Sequence, residues 1–103
     1  MVNLDQALGV TVKTGKVLFG ANSTIKNVMT GKVRLVVLAS NCPDSIRKDV
    51  EKYCKISRIP LVVSPRNNTE LGRACGKPFS ISVLAVRDPG DSDILEVVKE
   101  KNV

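Results

Sequence analysis

The segment Val33-Arg34-Leu35-Val36-Val37-Leu38-Ala39 restricts the fold of this chain more than any other. Every residue in it except Arg34 is apolar. It therefore lacks the polar–apolar alternation of a strand with one wet face. A strand of this kind is buried on both sides, as a central strand between two helix layers is. Three further segments read as strands: Lys16–Phe19, Ile59–Ser64 and Ser82–Arg87. Pro60 limits backbone pairing at the start of the third strand in chain order.

Helical patterns separate these strands. Asn3 is a good N-cap for a first helix with an apolar stripe of Leu4, Ala7, Leu8 and Val12, stopped by Gly15. A second helix is predicted over 22–30, with Ile25, Val28 and Met29 toward the core and Gly31 past its end. Pro43 suits the first turn of a third helix to Ser57, with the stripe Ile46, Val50, Tyr53 and Cys54. Asn67-Asn68-Thr69 is a turn and cap, and Glu70 favours a first helical turn leading to Leu71, Ala74 and Cys75. After the turn Asp88-Pro89-Gly90, Asp91 or Ser92 caps a final helix carrying Ile94, Val97 and Val98. Alternating elements of this kind predict one α/β domain over 1–103, a three-layer sandwich with helices on both sheet faces.

Composition narrows the function. The net charge of +6 is unevenly spread: residues 1–87 carry 14 Lys/Arg against 5 Asp/Glu, and residues 88–103 carry 2 against 5. A basic body suits a polyanionic partner, most often nucleic acid, and on charge alone a solvated basic surface accounts for it equally well. Histidine is absent, so no Ser-His-Asp or Cys-His catalytic arrangement and no His-ligated metal site can form. No G-x-x-x-x-G-K-[ST] or G-x-G-x-x-G stretch occurs, which argues against a nucleotide-cofactor enzyme. No cofactor is expected, and Asp91 and Asp93 read as a helix cap rather than a metal site. Cys42, Cys54 and Cys75 match no C-x-x-C pattern. Cys54 and Cys75 fall on apolar helix faces as small buried hydrophobes, while Cys42 precedes a proline in a loop, where it can be exposed. Free thiols fit a reduced, cytosolic compartment. No signal peptide is expected, and no apolar run approaches the length of a membrane span.

Three stretches can carry binding chemistry. In "FGANSTIK", residues 19–26, Gly20 permits close backbone approach, and a helix start offers free N–H groups to anions. Asn22 can bond a base edge or a phosphate, and Lys26 lies one turn on. The same residues also make an ordinary helix cap, with Asn22 or Ser23 as the capping side chain. In "SNCPDSIRK", residues 40–48, Asn41 ends a strand, and Arg47 and Lys48 enter the next helix. In "GKPFSIS", residues 76–82, Phe79 beside Lys77 and Pro78 suits stacking on an unpaired base. A Phe79 that opens the last strand and points into the core is equally consistent with the sequence.

These stretches, with "NNTELGRACGKPF" at 67–79 and "DPGDSDIL" at 88–95, resemble one family across nearly the whole chain. It is the archaeal and eukaryotic large-subunit ribosomal L-thirty-e family, within the kink-turn-binding ribosomal protein superfamily. The resemblance implies a three-layer α/β/α sandwich with a mixed four-stranded sheet, and a kink-turn or similar internal loop of ribosomal RNA as ligand. It implies contacts to sheared G·A pairs from Gly20, Asn22, Ser23 and Lys26. The loop of Lys77, Pro78, Phe79, Ser80 and Ile81 would pack around a flipped-out nucleotide, and Asn41 and Arg47 match positions that touch the same RNA, with Lys48 as a further candidate contact beside Arg47. It further implies a non-enzymatic protein of the cytoplasmic ribosome, with other large-subunit proteins as neighbours, no membrane, and a monomeric free state. Two positions differ from the ribosomal pattern. Many ribosomal members carry a basic residue where this chain has Asn22, whereas the guide-ribonucleoprotein branch carries Asn, and many carry Arg where this chain has Ser80. An RNA-binding core protein of a guide ribonucleoprotein is the alternative. In an all-parallel sheet the loop before the last strand would lie opposite the other two loops. One shared RNA site therefore requires the sheet to be mixed.

Overall fold

A computed structural model describes residues 4–88 together with Gly90 and Ile94. The elements in chain order are α1 (Leu4–Thr14), β1 (Lys16–Phe19), α2 (Ala21–Met29), β2 (Leu35–Leu38), α3 (Asp44–Ser57), β3 (Leu61–Val63), α4 (Asn68–Ala74) and β4 (Val83–Asp88). The expected Asn3 cap and the helix over Asp91, Ser92, Val97 and Val98 lie outside the described residues. Ile94, expected in the core, is fully buried.

The strands form one sheet in the order β1-β4-β2-β3. β4 runs antiparallel to both β1 and β2, and β2 runs parallel to β3. The sheet is mixed, with β4 alone reversed. The two parallel crossovers, β1-α2-β2 and β2-α3-β3, step across the sheet in the same direction. Right-handed connections then put α2 and α3 on one face, where they pack together. α4 leads back to the reversed β4 and lies with α1 on the other face.

β2 behaves as its composition demands, with all four residues buried. Leu35 and Val37 enter the layer with Ala7, Leu8, Leu71 and Cys75. Val36 and Leu38 enter the layer with Val28, Val50 and Cys54. β4 divides likewise: Leu84 and Val86 face the first layer, Val83 and Ala85 the second. Each buried Leu or Val contributes about 1.5–3 kcal/mol relative to exposure, so these two strands carry much of the fold's driving force. Cys54 is buried as expected, which pushes its thiol up to about 11.

Two expectations change. Met29 is 62% exposed rather than in the core. The inward stripe of α2 runs through Thr24 and Val28, both buried, which turns Met29 off the sheet. A threonine on the core side is invisible to an apolar pattern. Cys42 is buried rather than exposed. The loop after β2 folds the thiol back against Val50 and Cys54. Burial raises its pKa, the nearby Arg47 charge opposes that rise, and Asp44 adds to it.

Candidate nucleic-acid interface

The reversal of β4 meets the geometric condition for a single site. The carboxyl ends of β1 and β2 and the amino end of β4 share one sheet edge. Hydrogen bonds tie them there: the Gly20 N–H donates to the Val83 carbonyl at 3.1 Å, and the Ala39 N–H to the Ser82 carbonyl at 2.8 Å. The loops after β1, after β2 and before β4 therefore emerge side by side.

α2 starts at this edge without a side-chain cap. Gly20 is its N-cap residue, with φ 99° and ψ 154°. That is a left-hand region that favours glycine. The expected capping by Asn22 or Ser23 does not occur. The helix begins one residue earlier than its sequence suggests, which moves both side chains inside the first turn, beyond the capping position. No acidic residue lies in that turn. Among the described residues the N–H groups of Ala21, Asn22 and Ser23 have no acceptor. Asn22, Ser23 and Lys26 are all exposed, and Lys26 has no ion-pair partner among the described residues.

The loop before β4 stands next to it. Phe79 neither opens the strand nor enters the core: it is 50% exposed. Its ring meets that of Phe19 edge to face, with centroids 6.0 Å apart and planes at 84°. The Lys77 ammonium lies 5.3 Å from the Phe19 ring centre. Contacts of these kinds contribute about 0.5–1.5 kcal/mol each, enough to pose a half-exposed ring. Pro78 and Ser80 are exposed, whereas the Ile81 side chain is buried and anchors the loop. Gly72 of α4 sets the approach. A Cβ there would strike the Phe79 carbonyl oxygen, so only glycine lets the loop backbone lie against the helix. Between Phe79, Phe19, Gly20, Ile46 and Val83 opens a hollow of about 360 Å³.

The third stretch divides. The Asn41 carboxamide oxygen accepts the Asn68 N–H at 2.8 Å, and its Nδ2 donates to the Asn68 Oδ1 at 3.1 Å. The Asn68 carbonyl in turn accepts the Ile81 N–H at 3.0 Å. Asn41 thus links the loop after β2, the start of α4 and the loop before β4. The Arg47 Nε donates to the Glu51 carboxylate at 2.9 Å, one turn along α3. This hydrogen bond, with the Glu51 charge, raises the Arg47 pKa further. Lys48 is exposed and unpaired among the described residues.

Five residues that the sequence does not single out as ligands line or brace this edge, Arg73 through a hollow it shares with Lys77 and Phe79. Phe19 reads as the end of a short strand, and Ile46 as a core position of a helix stripe. Gly72, Asn68 and Arg73 lie within "NNTELGRACGKPF". The mid-helix glycine is the one visible signal, since glycine there costs helix stability unless something packs against it. Among the described residues no group of His, Cys, Asp or Glu could hold a metal ion. No described helix is long and apolar enough to cross a membrane.

Comparison with known proteins agrees with this architecture. The large ribosomal subunit protein eL30 of Methanothermobacter thermautotrophicus is 44% identical over 97 residues, covering 94% of this chain and 99% of that protein. The eL30 of Sulfurisphaera tokodaii is 44% identical over 100 residues, covering 97% and 94%. A solved structure described as a protein with unknown function from Bacillus halodurans C superposes with a TM-score of 0.83 at 30% identity, over 97% of this chain and 99% of that one. Residues 3–96 match the model of the ribosomal protein L7Ae/L30e/S12e/Gadd45 family. With the reversed fourth strand and the "ELGRACGKPF" stretch in place, the chain is a member of the ribosomal protein L7Ae/L30e/S12e/Gadd45 family.

Proposed function

We propose that this chain is a structural, non-catalytic protein of the large ribosomal subunit that binds a kink-turn or similar internal loop of ribosomal RNA. One observation carries the reading: the exposed Phe79 ring and the uncapped start of α2 lie together at one sheet edge. A kink-turn offers both an unstacked base and closely spaced phosphates. The hollow between Phe79 and Phe19 suits the base. The N–H groups of Ala21, Asn22 and Ser23, with Lys26, suit the anionic or base-edge acceptors beside it. Gly20 keeps that approach open, since nothing lies within 4 Å of the position a Cβ would take. Lys48 and Arg47 extend the positive surface along α3. Asn41 serves the same site by holding Asn68, and through it the Ile81 end of the aromatic loop. The eL30 names of the relatives support the ribosomal setting, in the cytoplasm among other large-subunit proteins, and in this reading the chain is a monomer before it assembles.

A titration against a synthetic kink-turn RNA tests the site. Phe79→Ala should weaken binding by about 1–3 kcal/mol. Lys26→Ala should weaken it less and lower the log–log salt slope by about one. Parental binding by both variants would refute the assignment. Asn22 favours a second setting, a guide ribonucleoprotein, and recovery of the protein with small guide RNAs instead of ribosomal subunits would establish it.

A further inference from the structure

Phe79 and Ser80 form a wall with a different hollow on each side. On one side lie Phe19, Ile46 and Val83. On the other is a separate hollow of about 300 Å³, lined with Thr69, Arg73, Lys77 and Pro78. The first is lined mainly by apolar residues, with Ser80 and Ser82 but no charged side chain, and the second carries two cations, Arg73 and Lys77, with the hydroxyls of Thr69 and Ser80. We propose that the second hollow binds a backbone phosphate of the RNA strand passing Phe79, with Arg73 as its principal ligand and Lys77 as the second. The inference rests on the RNA reading above and adds the nucleotide's charged half to its flat half.

Charge accounting supports an anionic occupant. Glu70, the carboxylate of α4, is already engaged. It accepts the Asn67 N–H at 3.2 Å and lies 3.5 Å from the Arg66 guanidinium. Among the described residues Arg73 has no carboxylate partner and is exposed. Lys77 is directed over the Phe19 ring, which leaves its charge unneutralised. An arginine fork matches two phosphate oxygens at once, and Thr69 one turn earlier adds a hydroxyl donor. The distance from Arg73 to the wall is held by its neighbour Gly72, whose contact with the Phe79 backbone admits no side chain. Position in the last turn of α4 gives Arg73 a favourable helix-dipole interaction as well. Lysine would preserve that interaction but not the two-oxygen fork.

The test uses the full chain and a synthetic RNA duplex with an internal loop closed by G·A pairs, with a fully paired duplex as control. Kd is measured across a salt series for the parent, Arg73→Ala, Arg73→Lys and Phe79→Ala. Arg73→Ala should raise Kd for the loop RNA about threefold to tenfold and reduce the salt slope by about one, without moving the melting midpoint. Arg73→Lys should restore the slope but only part of the affinity. A methylphosphonate at the phosphate flanking the looped-out nucleotide should erase the difference between parent and Arg73→Ala. Unchanged binding by Arg73→Ala, with binding weakened by Phe79→Ala, overturns the phosphate site and leaves the base site standing. An equal loss on the paired duplex also overturns it, since Arg73 would then belong to a non-specific basic surface. A parent that does not prefer the loop RNA overturns both readings.

Discussion

α4 and α2 begin in opposite ways. Every N–H in the first turn of α4 is satisfied by the protein itself. Asn68 donates to Asn41, Thr69 to the Asn68 side chain, Glu70 to the Asn67 side chain and Leu71 to the Asn67 carbonyl. Glu70 completes a reciprocal box by accepting the Asn67 N–H. α2 has a glycine at its N-cap, no capping side chain and no acid in its first turn. The missing cap costs about 1 kcal/mol of helix stability. Both helices border the same edge. The closed one fixes the aromatic loop in place, and the open one leaves its donors available to a ligand.

Breaking the packing of the closed helix has the largest expected effect. Gly72→Ala forces α4 and the Phe79 backbone apart. It should lower stability by about 1–3 kcal/mol and weaken RNA binding, read by urea denaturation and RNA titration. Unchanged values in both would mean that α4 does not set the pose of Phe79. Next comes Asn67→Ala, which removes the cap and should cost about 1 kcal/mol in the same denaturation assay. RNA affinity should hold, because the Asn67 cap lies apart from the open start of α2 and from Arg73 in the last turn of α4. Loss of affinity at constant stability would erase the division of labour between the two helix starts. The smallest effect has two signs. Ser23→Glu places an acid in the first turn of α2 and should stabilise the protein by about 0.3–1 kcal/mol. The same charge should repel RNA and raise Kd. A variant that is both more stable and tighter-binding would show that the open helix start does not face the RNA.

Much of this arrangement is legible in the chain. The apolar run of β2, the Ala7–Leu8 part of the α1 stripe, the stripe of α3 and the Asn67–Glu70 cap are each written in local chemistry, and all appear where that chemistry puts them. The start of α2 is not. Asn22-Ser23-Thr24 looks like a cap cluster because capping residues lie there, yet Gly20 takes the position through a backbone angle that no side chain advertises. Asn41 is polar and ends a strand, which marks it as a candidate ligand residue, but the sequence does not show its structural partner. Its carboxamide is committed to Asn68, a partner 27 residues away. Phe79 admitted two readings because an aromatic beside a strand start serves equally well in a core or on a surface.

The sequence by itself determined the three layers, the central strand and the basic charge, because hydrophobic period and turn chemistry act over a few residues. It also carried the resemblance to the family. Tertiary structure decided that β4 runs backward between β1 and β2, and so brings three distant loops to one edge. It decided too that Phe19 braces Phe79 and that Gly72 admits the loop. These depend on contacts between segments far apart in the chain, where only the packed geometry selects which polar and aromatic groups remain exposed.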